Sequence, residues 1–146
     1  MSDGIENRNA TVFFLNMVPP TATKQQRKVD WQHRRIYDSD QVKDAKTKFE
    51  AHLYKYIPYA PYDGAIRLTT IWRYPRGNSH KDGEYKVTRP DADNMPTLLM
   101  DCMTRLGFWN DDAQVVHLQV IKVWHERPGI EIMIENMPAT GILEEL

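Results

Sequence analysis

The sequence predicts a single α+β domain over residues 1–146, a small mixed β-sheet packed with two main helices. Three observations lead there. Two stretches carry apolar residues at three- and four-residue spacing, which gives a helix one buried face. Four others read as strands, by alternation or by runs of branched and aromatic residues between turn signals. Finally, 146 residues with 41% hydrophobic side chains suffice for one core, and no linker or internal repeat divides the chain.

Taken in order, Thr11–Val18 is a buried strand by composition, stopped by Pro19-Pro20. A polar, basic stretch of about twenty residues follows without clear period, and loops of that length in compact domains are more often functional than idle. Ser39 is placed to cap a helix running to Tyr56, with Val42, Ala45, Phe49, Leu53 and Tyr56 on its apolar face. Pro58 and the run to Gly64 end it with turn chemistry. The next strand, Ala65–Pro75, sets Ile66, Leu68, Thr70, Trp72 and Tyr74 on one side. The polar, glycine-bearing residues 76–86 are expected to be mobile, and a short extended piece then delivers the chain to Asp91. A second helix reaches Leu106, with Asp93 or Asn94 as its cap, Pro96 in its first turn and Gly107 as its stop. Last, Ala113–Trp124 and Gly129–Met137 are expected to pair as a hairpin through the Arg-Pro-Gly turn.

Bulk properties narrow the function. No apolar run approaches the twenty or so residues that a bilayer span needs, and the polar, acidic start differs from a secretion signal. The single Cys102 has no internal disulfide partner, which fits a reducing cytoplasm. A net charge of −1 argues against non-specific coating of nucleic acid but permits a local basic face. Lys24, Arg27, Lys28, His33, Arg34 and Arg35 crowd one such stretch, either a solvated loop or a contact for backbone phosphates.

The acidic residues are the chemical signal. Asp91 and Asp93 precede the second helix, and Asp111 and Asp112 follow it. Carboxylates gathered at one spot repel one another unless a cation lies among them, and a hard, all-oxygen donor set suits Mg2+ or Mn2+. Taken alone, each pair also reads as a helix cap or a turn. Asp112 reaches Asp91 only if the chain runs back along the helix, or if a neighbour in a symmetric dimer closes the gap. The other familiar sites fail on their residues. A calcium loop lacks its glycine and glutamate, Cys102 lacks zinc partners, no glycine-rich phosphate loop is present, and the five histidines are scattered.

The run DADNMPTLLMDCMTRLGFWNDDAQVV resembles the signature of the RusA-like Holliday junction resolvases: D-x-D-N, a helix, then G-F-W-x-D-D-A-Q-V. The likeness is strong over Pro90–Val116 and looser elsewhere. It implies a homodimeric, Mg2+-dependent endonuclease, with Mn2+ an alternative metal, that cuts four-way DNA junctions by paired symmetric nicks. The family's essential aspartates fall on Asp91, Asp93 and Asp112 as catalytic, metal-binding residues. Asp111 is the adjacent acid. Lys24, Arg27, Lys28, Arg34 and Arg35 would then grip DNA phosphates. Trp31 and Tyr37 would either stack on bases or pack. The sequence departs from the family at Thr97, where a lysine is usual, and Lys86 or Arg89 is the expected substitute near the phosphate. The departure keeps two other readings open: a nuclease of other branched DNA, and a catalytically impaired dimer that binds junctions.

Overall fold

The computed structural model describes residues 5–6, 10–21 and 28–141. Among them, strands β1 (Ile5–Glu6), β2 (Ala10–Leu15), β5 (Ile66–Pro75), β6 (Val115–His125) and β7 (Gly129–Asn136) form a five-stranded sheet in the order β1-β2-β7-β5-β6. The neighbours β5 and β6 run parallel, and the other pairs are antiparallel. Strands β3 (Lys28–Asp30) and β4 (Arg35–Tyr37) form a separate two-stranded hairpin. The helices are α1 (Asp40–Leu53), continued by a 3-10 turn at Tyr54–Tyr56, and α2 (Pro96–Leu106). The sheet is mixed and the architecture α+β, in one domain.

The expected β6–β7 hairpin does not form, because β5 lies between the two strands. Burial explains the order. Ile66, Leu68, Trp72 and Tyr74 face the core, and Thr69 and Thr70 are buried on opposite faces, so β5 takes the centre. In contrast, β6 leaves Val116 and Leu118 exposed and takes the edge. A parallel partner needs a crossover, and residues 76–95 with α2 supply it.

Both helices cover one face of the sheet. Val42, Ala45, Phe49 and Leu53 of α1 meet Leu98, Leu99, Cys102 and Met103 of α2 above Phe13, Leu15, Trp72 and the isoleucines of β7. Phe49 stands edge-on to Trp72 at 6.1 Å, an arrangement favoured by the ring quadrupoles. On the opposite face, β5 and β7 are joined by ion pairs, Arg67 with Glu135 at 2.7 Å and Arg73 with Glu131 at 2.9 Å. Gly129 is required where β7 meets β2, since a Cβ there would lie 2.7 Å from the Leu15 carbonyl oxygen and closer still to the Phe14 ring.

Ser39 caps α1 as expected, its hydroxyl accepting from the Val42 N–H at 3.3 Å. The start of α2 differs: its N-cap is Met95, and neither Asp93 nor Asn94 caps it with a side chain. Pro96 opens the helix where no intrahelical N–H is needed, and Gly107, at φ 91°, closes it.

The expected mobility of residues 76–86 gives way to attachment. The Gly83 N–H donates to Trp124 O, the Trp124 N–H to Glu84 O and the Lys86 N–H to Lys122 O, so the segment lies along the outer edge of β6. His80 stacks on Trp124 at 4.1 Å, and Arg76 pairs with Asp82 at 2.8 Å.

No helix among the described residues is long and apolar enough to cross a membrane. Cys102 is buried against Lys46 O, and burial raises its thiol pKa to about 11. A thiol reagent at pH 8 is therefore expected to label the folded protein about a hundredfold more slowly than the urea-unfolded chain, measured by absorbance of the released chromophore. Comparable rates would show that the α1–α2 contact opens.

Candidate active site

The two acidic clusters lie at opposite ends of α2. Asp91 and Asp93 occupy the loop before its first turn, both exposed. The loop is closed by backbone bonds from the Asn94 and Met95 N–H groups to Asp91 O, at 3.1 and 3.2 Å. Among the described residues, no hydrogen bond or ion pair reaches either carboxylate.

At the other end, Asp112 is half-buried and accepts a hydrogen bond from the Thr104 hydroxyl in the last turns of α2. The Trp109 indole N–H donates to that same hydroxyl oxygen at 2.7 Å, so G-F-W and D-D of the motif are tied together through one threonine. Asp111 has a structural role: its carboxylate caps the 3-10 turn Asp112–Gln114 by accepting from the Ala113 N–H at 2.9 Å. Gln114 braces the corner from both sides. Its carbonyl accepts from the Asn110 and Asp111 N–H groups, and its amide donates to Tyr62 O and Gly64 O, all between 2.9 and 3.1 Å.

The eight steps from Pro96 to Thr104 span about 12 Å of helix. Strand β6 gives the same answer. The Lys122 ammonium holds the carbonyls of Thr88 and Pro90, just before Asp91, yet Lys122 lies seven residues beyond Val115, about 23 Å along the strand from the Asp112 end. Within one chain the helix therefore separates Asp112 from Asp91 and Asp93. Consistently, no group of three or more His, Cys, Asp or Glu side chains among the described residues is placed to hold a metal ion.

The basic residues divide as well. Lys24 and Arg27 lie outside the described residues. Lys28, Arg34 and Arg35 are exposed on the β3–β4 hairpin, where Asp30 pairs with His33 at 2.8 Å and with Arg35 at 3.5 Å. The His33 contact is the main cause that holds the Asp30 carboxyl below its ordinary range. Trp31, at the turn of the hairpin, is 83% exposed, and Val29, Ile36 and Tyr37 are exposed beside it. Packing among the described residues does not account for Trp31, because the hairpin is a small sheet of its own rather than part of the core.

Arg89 is exposed, whereas Lys86 is only 8% exposed. Its ammonium lies over the Trp124 ring at 4.5 Å and the Tyr74 ring at 5.2 Å, and it donates to Thr88 Oγ1 and Arg89 O. Burial, and then the nearby Lys122 charge, lower its pKa. Lys86, expected near the phosphate, thus faces inward, with protein groups for partners. Thr97 is half-buried in the first turn of α2.

Sequence reasoning missed Thr104, Gln114, Lys86 in its inward role and Lys122. Gln114 was visible as the Q of D-D-A-Q-V, but its four partners come from two separate loops. Lys122 sits in an ordinary strand pattern with nothing to mark it.

The family described as Endodeoxyribonuclease RusA matches residues 18–135, which contain both acidic clusters. A protein named crossover junction endodeoxyribonuclease rusA, from Lactococcus phage r1t, is 35% identical over 72 residues, 49% of this chain and 55% of the phage protein. Crossover junction endodeoxyribonuclease RusA of Escherichia coli K12 is 42% identical over 50 residues, 34% of this chain and 42% of that protein. Bacillus subtilis YqaN is 40% identical over 53 residues, 36% of this chain and 37% of its own. The chain thus spans about half or less of the length of these relatives. With the family match extending over most of its residues, the chain belongs to the endodeoxyribonuclease RusA family.

Proposed function

We propose that the chain is a metal-dependent endonuclease that resolves four-way DNA junctions as a homodimer, with Asp91, Asp93 and Asp112 as its catalytic residues. The family match across both acidic clusters carries the reading. The donor chemistry fits the metal. Asp91 and Asp93 are exposed carboxylates with no protein partner among the described residues, and hard oxygen donors favour Mg2+, or Mn2+, over softer ions. When bound, such an ion lowers the pKa of a water and offsets charge building on the scissile phosphate.

A second copy supplies what one chain lacks. Among the described residues, strand β6 is a sheet edge whose outer side meets residues 83–86 only near Lys122–Trp124. Further back, Val116 is 62% and Leu118 42% exposed, and an open apolar edge is a template for another strand. Antiparallel pairing of two β6 strands about Leu118 would bring the partner's Asp112 to the level of Trp124, beside the approach to Asp91. Two symmetric sites follow, suited to two symmetric nicks.

The chain's own residues have separate tasks. Asp91 and Asp93 present oxygens from the loop. Asp112 is held in orientation by Thr104, which accepts from Trp109 in turn. Lys24, Arg27, Lys28, Arg34, Arg35 and Arg89 grip phosphates, reading shape more than sequence. Trp31, exposed among those cations, stacks on a base at the crossover.

A second reading, a dimer that binds junctions without cutting them, rests on Thr97, which cannot supply the charge of the usual lysine. One assay separates these and the branched-DNA alternative. A labelled synthetic four-way junction is incubated with the protein in Mg2+, Mn2+ or EDTA. Paired nicks that disappear in EDTA and in Asp91→Asn are expected. Tight binding without nicking in either metal would leave the binding dimer, and cutting of flaps alone would leave the branched-DNA nuclease.

A further inference from the structure

Three consecutive backbone carbonyls precede Asp91, and each is held by an ammonium group. Lys122 Nζ donates to Thr88 O at 2.8 Å and to Pro90 O at 2.7 Å. Lys86 Nζ donates to Arg89 O at 2.6 Å and to Thr88 Oγ1 at 2.5 Å. The geometry points to Lys86 and Lys122 as positioning residues that hold the Asp91–Asp93 loop in place for its metal, a role that rests on the nuclease reading above.

The need for such a device follows from the chain. Residues 83–86 run along the edge of β6, but the backbone bonds to that strand stop at Lys86. Beyond it the carbonyls of Thr88, Arg89 and Pro90 no longer face a strand, and Pro90 has no N–H to offer one. Carbonyls without partners would leave the approach to Asp91 free to move, and a carboxylate pair that wanders binds a small, geometrically demanding cation poorly. Two ammonium groups with three donors each can replace the missing ladder.

Their own placement is over-determined. Lys86 is wedged between the Trp124 and Tyr74 rings, and Trp124 is covered on one face by His80. Lys122 comes from the second half of β6, paired with Trp72 of the central strand. The loop is thereby referenced to the core of the sheet rather than to α2, whose first turn has no side-chain cap. This answers what stands in for a cap: the loop is fixed from the sheet side.

The test uses the full-length chain with Lys122→Met, which keeps most of the side-chain volume, and Lys122→Arg, which keeps the donors. Three quantities are read: amide hydrogen exchange over residues 88–95, the Mn2+ dissociation constant by electron paramagnetic resonance, and junction binding in EDTA. For Lys122→Met, exchange in that segment is expected to rise at least about tenfold, and Mn2+ affinity to fall about tenfold, the scale of lost outer-shell support. Junction binding in EDTA and exchange in α1 should match wild type, and Lys122→Arg should recover Mn2+ affinity. Unchanged Mn2+ affinity in a wild-type-like Lys122→Met protein overturns the positioning role and leaves the nuclease standing. Loss of exchange protection throughout the sheet and in α1 also overturns it, by showing general support of the fold. A wild-type chain that neither binds Mn2+ nor cuts junctions removes both this role and the nuclease reading.

Discussion

Mixing Asp91→Asn chains with Asp112→Asn chains is expected to restore nicking that neither variant shows alone. Each variant by itself should lose at least about a thousandfold in cleavage rate, since groups that act as one catalytic unit fail together. The recovery follows from where the structure puts the acids. Asp91 and Asp93 stand before the first turn of α2, and Asp112 is bonded to Thr104 near its end, so the proposed site with all three acids would draw on two chains. In a heterodimer one site then combines both substitutions, while the other combines an intact Asp91–Asp93 loop with an intact Asp112. After random exchange of subunits, half the dimers are mixed and about a quarter of all sites are intact, so nicking should return to about a quarter of the wild-type rate. The products should be single nicks rather than paired ones. A mixture of Asp91→Asn with Asp93→Asn is the control, because both lesions lie on the same loop and no combination yields an intact site. Recovery in the control, or none in the test mixture, would refute a site shared between chains. Gel separation of nicked from resolved junctions reads all of these outcomes.

The sequence made the helices and the central strand legible because their signals are local. Ser39 and the stripe Val42, Ala45, Phe49, Leu53 placed α1, and the alternation from Ile66 to Tyr74 placed β5 with the correct residues inward. Strand neighbours were not legible. The Arg-Pro-Gly turn between β6 and β7 looks like a hairpin, and what overrides it is the need to bury β5 on both faces, a property of the whole sheet. The same holds at the candidate site. The resemblance to the resolvase signature points to Asp91, Asp93 and Asp112 as a set, but does not reveal that α2 separates them within one chain. Lys86 shows the limit most plainly. Its place beside Asp91 in sequence suggested a phosphate contact, yet the aromatic pair Tyr74 and Trp124, distant along the chain, turns it inward.

Gln114 should be the most damaging single polar residue to lose outside the carboxylates. Its side chain accepts from the Asn110 and Asp111 N–H groups and donates to Tyr62 O and Gly64 O, so Gln114→Ala strands four backbone groups at once. At about 0.5–1.5 kcal/mol net for each bond, the cost should be about 2–6 kcal/mol. At about 4 °C per kcal/mol for a domain of this size, that corresponds to a fall of about 8–24 °C in melting temperature, read by circular dichroism. Gln114→Glu provides the sharper comparison. A carboxylate can still accept from the two N–H groups, but it has no proton for the two carbonyls and sets a negative charge against them. If the corner is a two-sided brace, glutamate rescues little of the loss. If only the turn after Asp111 matters, glutamate should behave almost as wild type. Cleavage distinguishes the consequences further: Asp112 sits inside this corner, two residues before Gln114, so both variants should lose cleavage even at temperatures where they remain folded. Full activity in a folded Gln114→Ala protein would mean that Asp112 is oriented by Thr104 alone.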